Sequence, residues 1–323
     1  MVNMKQLTAL FVADDLVSFL SEHEGQVARS HSLYHHAANL IVGDDDLITI
    51  TSHDEIPPMG IAIDCSESLM RLFKSDDKVI LNPENLTVLN SEIQIDLCEA
   101  QIWDTDLLSD EETLSVDALS QKRTELLTWL EKQPGVGLLP LLNRLTNNQT
   151  DTEPANDNLY SRYIGADLEK FTTAIMASDW EGALALTDKL VGFGMGSTPS
   201  CDDFLMAYLL VFKVAEALHP VHFPWVSHFN HTVAKKAIKQ SPLISAMMLR
   251  HAANGKVSSS HQNLLRACLF NNYETPVVYA SQVIQYGATS GADFLLGLVC
   301  ALGWYQHVNT VYIKEGEEVW ALA

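Results

Sequence analysis

Gly192-Phe193-Gly194-Met195-Gly196-Ser197-Thr198-Pro199-Ser200-Cys201-Asp202-Asp203-Phe204-Leu205 sets three alternating glycines before a Thr-Pro-Ser step, two adjacent aspartates and a long apolar run. Glycines at this spacing let the backbone turn sharply and expose its N–H groups. Ser200 followed three residues later by Asp203 reads as a capping box with Asp in place of Glu, so the stretch predicts a polar, acidic loop at the start of a buried helix. The stretch Gly287-Ala288-Thr289-Ser290-Gly291-Ala292-Asp293-Phe294-Leu295 repeats the logic, with Ser-x-x-Asp-Phe-Leu at 200–205 and again at 290–295. An apolar run follows each copy, and helices apolar on most faces are interior ones. Two interior helices with like starts suggest a pseudo-symmetric pair whose N-termini meet at one pocket.

Working outward, the region from 115 onward reads as helical: 115–133, 138–145, 159–177, 179–191, 200–219, 226–239, 242–254, 259–270, 274–286 and 293–307. The polar stretch 147–158 reads as a loop or linker, and 310–322 as a returning strand. Before residue 104 the pattern differs. Residues 6–22 read as a short helix, and 66–74 as another. Short β-prone runs at 37–42, 47–51, 60–63, 79–81, 86–89 and 93–97 are separated by turn signals such as Gly43-Asp44-Asp45-Asp46 and Asn82-Pro83-Glu84-Asn85. The expectation is an α+β protein: a β-rich N-terminal domain over 1–110, built as a small sandwich or barrel, and a mainly helical domain over 111–323.

The chain has 323 residues, with 41 acidic against 20 basic ones and a formal charge of −21. Such a surface repels phosphate backbones and anionic membranes, so neither nucleic acid nor membrane is an expected partner. Five scattered cysteines without a C-x-x-C pair fit a reduced, cytosolic protein, and Asp14 and Asp15 interrupt any signal-peptide core at the N-terminus.

The glycine loop is not a P-loop, because no Gly-Lys-Ser/Thr follows, and not a Rossmann fingerprint, because Gly194-Met195-Gly196 lacks a glycine at the required third offset and a helix precedes it. A capping connection needs one Gly and one Ser. Three glycines and an Asp-Asp pair exceed that need, which favours a ligand-facing loop over plain capping. With Ser200 as the cap, adjacent helical side chains diverge by about 100 degrees. One aspartate then serves the helix start while the other, Asp202, faces a ligand as a magnesium ligand, a general base or an acceptor for an amide N–H2. Asp293, like Asp203, is then mainly structural. Gly192, Gly194, Gly196, Thr198, Ser200, Thr289, Ser290 and Gly291 supply N–H groups and hydroxyls for a small carboxylate or phosphate. Cys201 is a weaker nucleophile candidate at a helix start. His31-Ser32-Leu33-Tyr34-His35-His36 matches no zinc spacing, and Lys235, Lys236, Lys239 and Arg250 read first as a solvated helix face.

The pattern G-x-G-x-G-x-T-P-S-x-D-D-F-L, followed by G-x-T-S-G-x-D-x-L-x-G, resembles the family of the AllH subunit of oxamate carbamoyltransferase. The likeness extends to His31-Ser32, Asn39-Leu40, Pro58, Leu190-Val191-Gly192 and the segment 245–255. Where the family commonly reads G-L-G-P-G-L-T-P-S-G-D-D, this chain has Met195, Ser197 and Cys201 in place of Pro, Leu and Gly. The resemblance implies a subunit that works with two partner chains, one similar to an acyl-CoA synthetase. It also implies carbamoyl transfer between oxalurate, oxamate and phosphate in allantoin breakdown; on the reading of the loop itself, Asp202 and Asp203 are the candidate catalytic residues.

Overall fold

The computed structural model describes residues 4–52, 55–107, 114–146, 158–271 and 273–310. Contacts divide the chain into two units, one of residues 1–106 and 256–262, the other of 107–255 and 263–323.

The first unit is built on β1 (Lys5–Ala13), α1 (Asp14–Glu22), β2 (Val27–Leu33), β3 (Ala37–Val42), β4 (Asp46–Thr51), β5 (Gly60–Ile63), α2 (Leu69–Leu72), β6 (Lys78–Leu81), β7 (Asn85–Val88), β8 (Ile93–Asp96) and β9 (Gln101–Trp103). These strands join one sheet in the order β5-β4-β3-β2-β6-β7-β8-β1-β9. β1 also pairs antiparallel with β5, with Phe11 opposite Ala62, so the sheet closes into a barrel. Leu40, Ile48, Ile50, Ile61, Leu86 and Ile95 fill its interior.

The helix expected over 6–22 is instead a strand running straight into a helix. Residues 5–13 alternate toward the core, with Leu7 and Ala9 buried and their neighbours out. Only from Asp14 does the 3.6-residue spacing begin, burying Leu16 and Leu20. The helix expected over 66–74 contracts to the single turn α2.

The second unit is helical: α3 (Val116–Leu130), a 3-10 turn (Leu139–Leu141), α4 (Leu142–Thr146), α5 (Leu159–Met176), α6 (Trp180–Leu190), α7 (Ser200–Leu218), α8 (Val226–Gln240), α9 (Leu243–Ala252), α10 (Ser259–Leu269), whose residues up to 262 count with the first unit, α11 (Pro276–Val283) and α12 (Ser290–Val308). Of the expected loop at 147–158, residues 147–157 lie outside the described residues. So does the expected terminal strand beyond Thr310.

α7 and α12 form the centre, buried on nearly every face. They run side by side in one direction. Thr198 meets Ser290 ahead of the helices, Gly297 lies against Phe204, and Phe212 packs on Trp304 at 4.6 Å further along. A Cβ on Gly297 would collide with the Phe204 carbonyl oxygen, so glycine there sets the close approach of the two helices. Among the described residues no helix is long and apolar enough to cross a membrane.

Candidate functional site

The repeated Ser-x-x-Asp motifs meet. The Thr198 and Ser290 hydroxyls lie 2.7 Å apart, joining the first glycine loop to the start of α12. Neither motif is a capping box. Pro199 and Thr289 occupy the N-cap positions and neither helix has a side-chain cap. Ser200 and Ser290 are therefore the first helical residues, and Asp203 and Asp293 the fourth. Proline in the extended conformation at 199, with φ of −57° and ψ of 140°, moves the start one residue earlier than the Ser-x-x-Asp spacing implies. Each hydroxyl serves the aspartate of the other helix rather than that of its own. The Ser290 hydroxyl holds down the pKa of Asp203, and that of Ser200 the pKa of Asp293.

The three aspartates divide into two kinds. Asp202 Oδ1 accepts the Gly192 N–H at 2.7 Å, and its Oδ2 accepts the Ser245 hydroxyl at 2.7 Å. Burial raises its pKa, and these donors, helped by the nearby Ser241 hydroxyl, pull it back. Sequence reasoning turns Asp202 toward a ligand. In the fold both its oxygens are engaged, folding the glycine loop back onto its own helix and onto α9. Gly194, at φ +136°, has no room for a side chain, because a Cβ would strike the Ser200 N–H group.

Asp203 and Asp293 are the carboxylates left incomplete. Asp293 Oδ1 accepts the Leu138 N–H at 2.6 Å, while Oδ2 of Asp293 and Oδ2 of Asp203 are buried without a partner. The residues are 0% and 3% exposed, so water does not readily make up the deficit. Burial pushes Asp293 up to about 6 against the Leu138, Ser200 and Thr289 donors. It drives Asp203 well above the usual carboxylate range, with repulsion from Asp293 and Asp202 adding to the rise.

The remaining residues singled out by sequence take varied places. Gly196 is exposed with open space around it, and Met195 beside it is 79% exposed. Among the described residues no hydrogen bond takes up the N–H groups of Gly194 to Thr198. Gly291 is inside the first turn of α12, packed against the Val283 carbonyl rather than facing the loop. Cys201 is buried and its thiol is raised well above normal by desolvation and then by the three aspartates, the reverse of an activated nucleophile. The Lys236 ammonium ties α8 to α6 through Leu184 O at 2.7 Å and Thr187 Oγ1 at 2.8 Å. His35 and His36 contact each other, and His36 Nδ1 lies 3.2 Å from the Ser52 hydroxyl. Among the described residues no group of three or more metal-ligating side chains converges. Sequence reasoning did not assign Leu138 a role. Its only signal was the Pro134-Gly135-Val136-Gly137 break, which turns the chain so that the Leu138 N–H reaches Asp293.

Comparison with known proteins agrees with the motif. A family described as oxamate carbamoyltransferase subunit AllH matches residues 190–302, a span that holds both helix starts and α9 between them. The AllH family N-terminal domain matches residues 8–102, the barrel. No solved structure matches the chain significantly. The two matches together cover most of the sequence, and the chain belongs to the AllH family, named for a subunit of oxamate carbamoyltransferase.

Proposed function

We propose that this chain is the subunit of a carbamoyltransferase-type enzyme that holds a small carboxylate or amide of the oxamate or oxalurate kind, with phosphate or carbamoyl phosphate as the other reactant. The proposed site is where the glycine loop meets the starts of α7 and α12. The observation that carries the reading is the 2.7 Å contact between Thr198 and Ser290, beside two buried carboxylates that each keep an unpartnered oxygen. Buried acceptors without donors carry an energetic penalty of about 1–3 kcal/mol each, and a ligand bearing N–H groups removes it.

In carbamoyl transfer from oxalurate a phosphate oxygen attacks the carbamoyl carbon, negative charge builds on the carbamoyl oxygen, and the bond to the leaving nitrogen breaks as that nitrogen takes up the proton phosphate loses, giving carbamoyl phosphate and oxamate. That chemistry asks the protein for alignment and for donors to the developing charge rather than for a covalent intermediate. The free N–H groups of Gly194 to Thr198 are suitable donors. Asp203 and Asp293 supply the acceptors for an amide N–H2 of the ligand. Asp202 and Gly192 shape the loop, and with both Asp202 oxygens engaged the reading needs no magnesium ion there. Work in a complex with an acyl-CoA-synthetase-like chain belongs to the same proposal.

The test is Asp203→Asn in the assembled complex, with carbamoyl phosphate formation from oxalurate and phosphate as the readout. Turnover should fall by roughly 100-fold. Unchanged turnover together with unchanged oxamate binding removes the site from the function. A second reading, a metabolite-binding subunit whose chemistry lies in a partner chain, is favoured by the inert Cys201 thiol. Weakened oxamate binding with an intact rate in the same variant selects it.

A further inference from the structure

Taking that functional reading as given, we infer that the primary amide end of the ligand, not its anionic end, lies at the two helix starts, with one N–H donated to Asp203 Oδ2 and the other to Asp293 Oδ2. Each helix start leaves one carboxylate oxygen buried and unpartnered, and the two aspartates lie in one cluster: the Ser290 hydroxyl serves Asp203, the Ser200 hydroxyl serves Asp293, and Asp293 repels Asp203. A primary amide nitrogen carries two N–H donors and no acceptor of its own. A carboxylate or phosphate offers acceptors only. Placing one beside Asp293, which is ionised above about pH 6, would set like charges together in a low dielectric and leave its Oδ2 without a donor. The anionic end is better served outside the pair, by the unpaired N–H groups of Gly194 to Thr198.

Burial pushes both carboxyls upward, and for Asp203 repulsion from Asp293 and Asp202 adds to it. The Thr198–Ser290 contact ties the glycine loop to the start of α12, the helix that carries Asp293. Asp203 and Asp293 then determine specificity, and they separate oxamate from oxalate, two molecules of nearly the same shape that differ in NH2 against O.

Calorimetric titration of the full-length chain with oxamate and with oxalate tests this. Oxamate should bind at least roughly tenfold more tightly, since two charge-assisted hydrogen bonds are at stake. Asp293→Asn supplies the second measurement. The Leu138 N–H obliges the new side chain to keep its oxygen at the Oδ1 position, so its NH2 replaces Oδ2 and an acceptor becomes a donor. The oxamate-to-oxalate preference should then collapse or invert, with an unchanged circular dichroism spectrum showing that the fold is kept. Oxalate binding within about threefold of oxamate in the parent protein, or the same preference in the variant, overturns the inference while leaving the functional reading standing. Failure of both compounds to bind overturns the two together.

Discussion

The starts of α7 and α12 share a motif but not a support. Each opens with an uncapped serine and places an aspartate at the fourth helical residue with one bare oxygen. α7 carries a second aspartate, and Asp202 uses both oxygens to fold the long glycine loop onto Gly192 and Ser245. α12 has no such neighbour, and Asp293 is itself anchored, by the Leu138 N–H from an element far away in sequence. In one copy a separate residue holds the loop, and Asp203 keeps the Ser290 hydroxyl from the opposite helix. In the other the same residue is both anchor and bare acceptor. The difference shows how a repeated sequence yields two acids of unequal character, Asp203 well above normal and Asp293 near 6.

The sharpest way to break the pair is Gly297→Val. Its side chain would strike the Phe204 carbonyl and push α7 and α12 apart, with a loss of upward of about 3 kcal/mol. Urea unfolding reads this out, and a parent-like midpoint would show that the two helices do not depend on their close approach. Asp293→Asn should work in the opposite direction. A carboxyl raised from 3.8 to about 6 in the fold favours the folded state fully below pH 4 and loses that contribution as pH rises through 6. The variant should therefore gain about 3 kcal/mol at pH 7 and flatten the fall in stability between pH 4 and 6. Thermal melts across that range would expose an unchanged slope.

Asp202→Ala removes the loop clamp and leaves the Gly192 N–H and the Ser245 hydroxyl without an acceptor, a loss of about 2 kcal/mol. Amide exchange should quicken at Gly192 while Leu138, which reports on the other helix start, keeps its protection. Equal acceleration at both would mean the two supports are not separate. Thr198→Ala should have the smallest effect, about 1 kcal/mol or less, since it deletes one hydroxyl of a neutral pair. If it lowers stability as much as Asp202→Ala, the hydroxyl bridge matters more to the loop than the clamp does.

Much of this was legible in the sequence, and what was not has a physical cause. The strands at 37–42 and 60–63 stand as read, because Gly43 and the Pro57-Pro58 pair punctuate them. β1, the strand that closes the barrel, read as helix because no turn residue separates Ala13 from Asp14 and the two periodicities run together. The repeated Ser-x-x-Asp motif foretold that the two helix starts would meet. Its reading as a capping box failed by one residue, because an extended proline and a threonine stand in the cap positions. That single step turns Asp202 inward to the loop. The anchoring of Asp293 by Leu138 spans 155 positions, a distance over which local spacing carries no signal.

Residues 256–262 belong with the first unit. Lys256 pairs with Asp14 at 3.2 Å, the Ser259 hydroxyl accepts the Ile56 N–H at 3.0 Å, and Gln262 donates to the Asp104 carbonyl at 2.9 Å. During synthesis the barrel strands leave the ribosome long before these partners exist. The nascent N-terminal part therefore waits, with Asp14 lacking its cation, until residues 256–262 have been translated, and a fragment ending near residue 106 is an unfinished body.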